Sequence, residues 1–255
     1  INMKIAMCTH YAGDEYKKKM DIGIQSKIKY CKKHNIDFIL EDETADYFDK
    51  DRRYEWCKIL MLKKHIKNYD YLFWSDADVL IKNFDYSLLD YLKNCDKTKT
   101  FIFTKCYNFI NNGNFFIKND EYSIPVLDVI YNQTEFKDQN CCEQSATINV
   151  ILNYPLFKNI WYIEPNARLF NAYSIYHYSE EKAPQDYQYG DFLIHYAGIG
   201  SDETNKCMIQ DSTNKILTRH LYKDFHPNLG RKFYEEDYNQ VIKDINQEDN
   251  ESFLI

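Results

Sequence analysis

The sequence predicts an α/β fold: one domain with a mixed, mainly parallel central sheet flanked by helices. Three observations predict it. Short apolar runs alternate with amphipathic stretches from the first residues onward, and turn-forming residues bound the apolar runs. No internal repeat, Pro-rich linker or low-complexity block interrupts that order, and 255 residues suffice for one large core.

Residues 4–9 are a short apolar run closed by Ala12, Gly13 and Asp14, as a buried first strand requires. Over residues 14–34, Met20, Ile22, Ile24, Ile28 and Cys31 recur at helical spacing, and 36–40 is a second apolar run. Strand, helix, strand in this order is a βαβ unit, with parallel strands and a right-handed crossover. Residues 52–66 read as an amphipathic helix whose stripe holds Trp56, Ile59, Leu60, Leu62, Lys63 and Ile66. Residues 69–75 carry the strongest strand signal and run directly into Asp76. A helix is expected near 87–92, strands over 100–104 and 114–118, helices over 122–132 and 143–152, and late strands over 161–163 and 191–195. The domain is expected to span 1–225. Residues 226–255, acidic and amide-rich, read as a helical extension packed on it or trailing from it.

Hydrophobic residues make up 44% and charged residues 28%, which places the chain among folded globular proteins. The 23 Tyr and 16 Phe suit a sugar-binding cleft, but Asn, Ile and Lys rise with them, so coding bias explains the surplus better. A net charge of −7, with no long block of Lys and Arg, argues against nucleic acid as a partner. No apolar run approaches the roughly 18 to 20 residues that cross a bilayer, so no membrane segment is expected. The eight cysteines form no C-x-x-C pair and no zinc-type spacing. Without an export signal they read as free, mostly buried thiols, and the chain as it stands reads as soluble and cytoplasmic.

The chemistry is concentrated where the third strand ends. In open α/β sheets the ligand sits beyond the carboxyl ends of the strands. Asp76 and Asp78 lie at that edge, and hard carboxylate oxygens at i and i+2 suit Mg²⁺ or Mn²⁺. Such a cation is what a sugar nucleotide needs, because its pyrophosphate leaves with negative charge. An Asp-x-Asp alone is a weak signal. Its position after Tyr71, Leu72, Phe73 and Trp74 strengthens it, since two carboxylates beside that run are costly without a cation. A phosphatase of the haloacid dehalogenase type also places Asp-x-Asp after a strand, although usually the first strand and not the third.

The wider pattern resembles a known family. Arg53 to Ile59 and then Tyr71 to Asp78 are similar to segments of the retaining glycosyltransferase family that includes fungal Golgi α-mannosyl- and α-galactosyltransferases and plant xyloglucan α-xylosyltransferases, family 34 of these enzymes. Asn112, Gly113, Asn114, Phe116, Ile117 and Asn119 are similar to its Asn-x-Gly-x-Phe-x-Ile-x-Asn segment. Glu143, Gln144, Ser145 and Ala146 correspond to its Asp-Gln-Ser-Ala, and His195, Tyr196 and Gly198 to its His-Phe-x-Gly. The matches keep their order over roughly residues 3–200, which is more specific than any single motif.

This resemblance implies a GT-A (Rossmann-like) fold, a UDP- or GDP-sugar donor, a hydroxyl acceptor on a glycan or glycoprotein, and Mn²⁺ or Mg²⁺ as cofactor. It implies that His195 joins Asp76 and Asp78 as the third metal ligand. The fungal members reside in the Golgi, so an upstream anchor is compatible with it. Thr9, His10 and Tyr11 follow the first strand, where such enzymes hold base and ribose; Tyr11 would either stack on the base or pack within its loop. Arg53 and Lys58 are placed on the donor side, although a solvated helix face explains either charge almost as well. Ser75, Ala77 and Gly198 are assigned to the donor as well, Gly198 because a glycine lets backbone approach a phosphate. Glu143 and Gln144 stand nearest the reacting carbon, or else Glu143 merely favours a helix start. Asn112, Gly113 and Asn114 line the acceptor or donor-sugar side, with Gly113 meeting a backbone requirement. Glu143 stands where the family has Asp, which keeps open a module that binds sugar or nucleotide without turnover.

Overall fold

The computed structural model describes residues 3–106, 109–174, 185–213 and 235–247. The chain begins β1 (Ile5–His10), α1 (Asp14–His34), β2 (Asp37–Glu41), α2 (Cys57–His65), β3 (Tyr71–Ser75), β4 (Val79–Ile81) and α3 (Leu88–Asn94). It continues β5 (Phe101–Cys106), β6 (Phe109–Lys118), α4 (Ser123–Tyr131), α5 (Cys142–Asn153), β7 (Trp161–Glu164) and α6 (Arg168–Asn171). Then come β8 (Leu193–His195), α7 (Ser201–Thr213) and α8 (Glu235–Gln247).

The central sheet has six strands in the order β2-β1-β3-β6-β5-β7. β1 pairs parallel with β2 and β3, and β5 parallel with β7, while β6 runs antiparallel to β3 and to β5. The α/β class and the mixed, mainly parallel sheet are therefore as the sequence indicates. Strand alternation divides the core between the two faces. Leu72 and Trp74 of β3 pack with Trp56, Ile59 and Leu62 beneath α2, α4 and α5, whereas Tyr71 and Phe73 pack with Tyr30, Leu88 and Phe170 on the opposite face. α1 is set by charge as well as by packing: Asp14 and Glu15 lie in its first turn, and Lys32, Lys33 and His34 in its last. Asn35 ends it in the left-handed region (φ 54°), donating its N–H to the Cys31 carbonyl.

Several elements differ from the sequence reading. The helix expected over 52–66 starts later, because Arg53 is extended (φ −63°, ψ 151°) and a single 3-10 turn at Tyr54–Trp56 precedes α2. The late strand expected over 191–195 shortens to β8 and leaves the main sheet. It pairs antiparallel with β4, a strand that the sequence did not separate from the motif before it, so that Val79 lies opposite His195. No element is expected over 201–213, where α7 lies against α1 with Met208 and Cys207 buried beside Met20 and Ile24. Of the expected extension over 226–255, residues 226–234 and 248–255 lie outside the described residues, and α8 occupies the remainder. The Asn246 side chain of α8 accepts from the Ile163 N–H (3.1 Å) and donates to the Ile163 carbonyl (2.9 Å), closing the exposed edge of β7. Cys8, Cys31, Cys57, Cys142 and Cys207 are free, buried thiols. Among the described residues no helix is long and apolar enough to cross a membrane.

Candidate functional site

The three residues between β3 and β4 are Asp76, Ala77 and Asp78. Their backbone is fixed from both neighbours: the Asp76 N–H donates to the Gly113 carbonyl (2.8 Å), and the Tyr196 N–H donates to the Asp78 carbonyl (3.0 Å). Pairing of β4 with β8 then brings in a residue more than a hundred positions away. One ligand atom each from Asp76, Asp78 and His195 lie within 4.8 Å of one another. Asn171 Oδ1 accepts from His195 Nδ1–H at 2.7 Å, which leaves Nε2 with its lone pair, 3.6 Å from Asp78 Oδ1. A carboxylate, a second carboxylate and an oriented imidazole lone pair form a donor set that fits a divalent cation. Gly113 makes the approach possible. A Cβ there would sit 2.3 Å from His195 Cε1 and 2.9 Å from Asp76 Oδ2, so the requirement at this glycine is space.

Burial pushes both carboxylates towards the protonated form. At Asp76 burial prevails, reinforced by the charge of Asp78 and opposed by Lys58, His195 and a 2.6 Å hydrogen bond from Trp74 Nε1; its pKa lies above the ordinary value. At Asp78 burial is the largest single influence, but the neighbouring His195 and Lys27 and a backbone hydrogen bond together more than offset it, and the pKa lies below the ordinary value. Two adjoining carboxylates shifted in opposite directions by burial and by their neighbours mark this spot as a functional-site candidate.

Lys58 links this cluster to α5. Its Nζ lies 3.2 Å from Asp76 Oδ1, donates to Glu143 Oε1 at 3.0 Å and to the Asn112 carbonyl at 2.9 Å, and is 4% exposed in its side chain. Burial works against the ammonium, yet Asp76 and Glu143 more than compensate and hold its pKa above the ordinary lysine value. The other oxygen of Glu143 accepts from the Cys142 thiol (3.1 Å). Gln144 Oε1 accepts from the Asn112 N–H at 3.1 Å. Asp76, Asp78, His195, Lys58, Asn112, Gly113, Glu143 and Gln144 thus form one connected group. Asn114, beside them on β6 and opposite Ser75, is fully buried, and neither of its amide atoms has a partner.

The residues assigned to the donor from sequence divide. Thr9 is buried, and its hydroxyl donates to the Ser75 carbonyl (2.8 Å), tying the ends of β1 and β3 together. Ser75 and Ala77 are buried. The Tyr11 hydroxyl donates to Asp42 (2.9 Å), and the Lys17 ammonium lies over its ring. The ring of His10 lies parallel to Phe48 with centroids 6.4 Å apart, and Phe48 stacks in turn on the exposed Tyr54. His10 Nε2 is buried without a partner, and burial lowers the imidazole pKa. Arg53 is exposed and bonds to Glu55 at 2.6 Å. Gly198 is exposed and left-handed (φ 72°), a conformation that suits glycine in the turn after β8.

Sequence reading missed Trp74 as a donor to Asp76, Asn171 as the group that orients His195, and Tyr16. Burial, then Asp78 and Asp76, raise the pKa of the Tyr16 phenol, which places α1 close to the same carboxylates. A Trp two positions before an Asp on one strand face was a usable signal; Asn171 had none.

The galactosyl transferase GMA12/MNN10 family matches over residues 2–97 and 90–207. An uncharacterized alpha-1,2-galactosyltransferase of Schizosaccharomyces pombe is 25% identical over 251 residues, covering 84% of this chain and 64% of its own. The probable alpha-1,6-mannosyltransferase MNN10 of Saccharomyces cerevisiae is 22% identical over 244 residues, covering 80% of this chain and 62% of its own. The chain thus spans less than two thirds of these relatives. In shape it is similar to a glycosyltransferase involved in the glycosylation of the major capsid of PBCV-1, with a TM-score of 0.63 at 14% identity, covering 81% of this chain and 99% of the other. That likeness shows the GT-A fold.

Proposed function

Because the chain belongs to the galactosyl transferase GMA12/MNN10 family, we propose that it moves a hexose, with retention, from a UDP- or GDP-sugar to a hydroxyl acceptor on a glycan or glycoprotein. The observation that carries this reading is the convergence of Asp76, Asp78 and His195, whose ligand atoms lie within 4.8 Å of one another at the carboxyl end of β3. These three would hold Mn²⁺ or Mg²⁺, and the imidazole favours Mn²⁺, since Mg²⁺ prefers oxygen. When bound, the cation offsets charge on the departing pyrophosphate.

The protein's own groups mainly position. The Lys58 ammonium reaches Asp76 Oδ1, Glu143 Oε1 and the Asn112 carbonyl, so this residue holds the donor side together. Glu143, with both oxygens engaged, anchors Lys58, and Gln144 presents its amide beside it. Attack from the face the phosphate leaves lets that phosphate take the acceptor proton, so no separate base is required. His10, Phe48 and Tyr54 supply the aromatic surface on the base side.

The test is release of nucleoside diphosphate from a panel of UDP- and GDP-hexoses with Mn²⁺ and simple sugar acceptors. One donor is expected to turn over, with the anomeric configuration kept. Binding of donors with no turnover would favour a module that only binds, and release of inorganic phosphate from phosphomonoesters would favour a phosphatase.

A further inference from the structure

On α1, Gly23, Ser26 and Lys27 stand at i, i+3 and i+4 and so share one helix face. All three are buried, Lys27 completely. Each meets the segment that carries Asp78 into β4. Lys27 Nζ donates to the Val79 carbonyl at 2.8 Å and reaches the Ala77 carbonyl at 3.4 Å. The Ser26 hydroxyl accepts from the Ile81 N–H (3.0 Å) and gives its own hydrogen to the Gly23 carbonyl (2.6 Å). At Gly23 a Cβ would lie 2.6 Å from the Val79 carbonyl oxygen and 2.9 Å from that of Ala77.

Each feature is costly without a purpose. A glycine inside a helix destabilises it relative to alanine, and a lysine taken wholly out of water must be compensated. The compensation here is directed at backbone. Lys27 grips the carbonyls on either side of Asp78, while the Asp78 carbonyl between them is held from the other side by Tyr196. β4, thus fixed, sets β8, in which His195 lies opposite Val79.

We infer that Gly23, Ser26 and Lys27 are positioning residues: the face of α1 is a cradle that sets the backbone of the metal loop and, through β4, the separation of Asp78 from His195. The inference rests on the reading of Asp76, Asp78 and His195 as a metal site. It differs in sign from a simpler role for Lys27. If the ammonium merely neutralised the two aspartates, its removal would strengthen cation binding; if it holds the loop, removal weakens it.

The experiment measures Mn²⁺ binding to the whole chain without donor, by electron paramagnetic resonance of the free ion, and turnover as a function of Mn²⁺. Lys27→Met is expected to weaken Mn²⁺ binding about tenfold, the scale seen when groups that orient metal ligands are removed. Gly23→Ala and Ser26→Ala, which change no charge, are expected to weaken it in the same direction. In turnover the Mn²⁺ requirement rises more than kcat falls, and Lys27→Arg recovers part of the loss. If Lys27→Met does not fold, the two neutral variants carry the test. Mn²⁺ binding that is unchanged or tighter in Lys27→Met, or unchanged in both neutral variants, overturns the cradle. Absence of Mn²⁺ binding by the unaltered protein overturns the metal-site reading, and the cradle with it.

Discussion

On one flank of the 76–78 loop, Lys58 of α2 meets the Asp76 and Glu143 carboxylates; on the other, Lys27 of α1 meets the backbone carbonyls of Ala77 and Val79. Both side chains are buried. Their electrostatics are opposite. Carboxylate partners raise the pKa of Lys58 above its usual value, whereas burial lowers Lys27 to about 7, against the pull of Asp78 and Asp76. A lysine facing carboxylates is locked as a cation and belongs to the charge balance of the site. A lysine facing carbonyls keeps N–H donors whether charged or not, and serves geometry.

The comparison can be broken at its centre first. Asp78 lies between the two carbonyls that Lys27 holds, and Asp78→Asn is expected to reduce turnover by about 10³-fold, as loss of several kcal/mol of charge stabilisation dictates. Steady-state kinetics at saturating Mn²⁺ measures it. Lys58→Met comes next. It strands two carboxylates, one of them almost wholly buried, and is expected to cost about 3–5 kcal/mol in urea unfolding. Lys58→Met combined with Glu143→Gln should recover much of that stability and little of the activity. Equal stability of single and double variants would mean that the pair is not coupled.

Lys27→Met removes a neutral-capable donor from two carbonyls, for which about 1–3 kcal/mol is expected. Its activity loss, unlike that of Lys58→Met, should shrink as Mn²⁺ is raised. The smallest effect is in pH. The folded pKa of Lys27 lies near 7 and its ordinary value is 10.5, so between these the unfolded chain binds more protons than the folded one. Stability contributed by neutral Lys27 is therefore full above the ordinary value and lost as pH falls through the folded one. Urea unfolding in chelator should show the unaltered protein gaining on Lys27→Met from about pH 7 upward; a flat difference would mean that the buried amine does not titrate in that window.

The two flanks also differ in what the sequence could reveal. β1 and β3 were legible because buried strands are continuous apolar runs, α1 because it repeats its apolar residues at helical spacing, and the half-exposed β2 because a short apolar run follows that helix. Asp76 and Asp78 were legible from their place after such a strand. His195 was reached through motif order alone, since the β4–β8 pairing that delivers it uses strands of three residues, too short for any periodicity. Lys58 stood out within a recognisable segment. Lys27 did not, because α1 also carries Lys17, Lys18, Lys19, Lys29, Lys32 and Lys33, and in a helix so rich in lysine one more reads as solvated. Only the fold shows that Gly23 opens the face on which that one lysine turns inward.

The central claim is that Asp76, Asp78 and His195 hold the cation on which transfer depends. Nucleoside diphosphate release by the unaltered chain and by Asp78→Asn, each with Mn²⁺ and after chelation, tests it most directly. The account predicts turnover that disappears on chelation, returns with added Mn²⁺, and is almost absent from Asp78→Asn. Turnover that persists in chelator, or that Asp78→Asn retains in full, would contradict it.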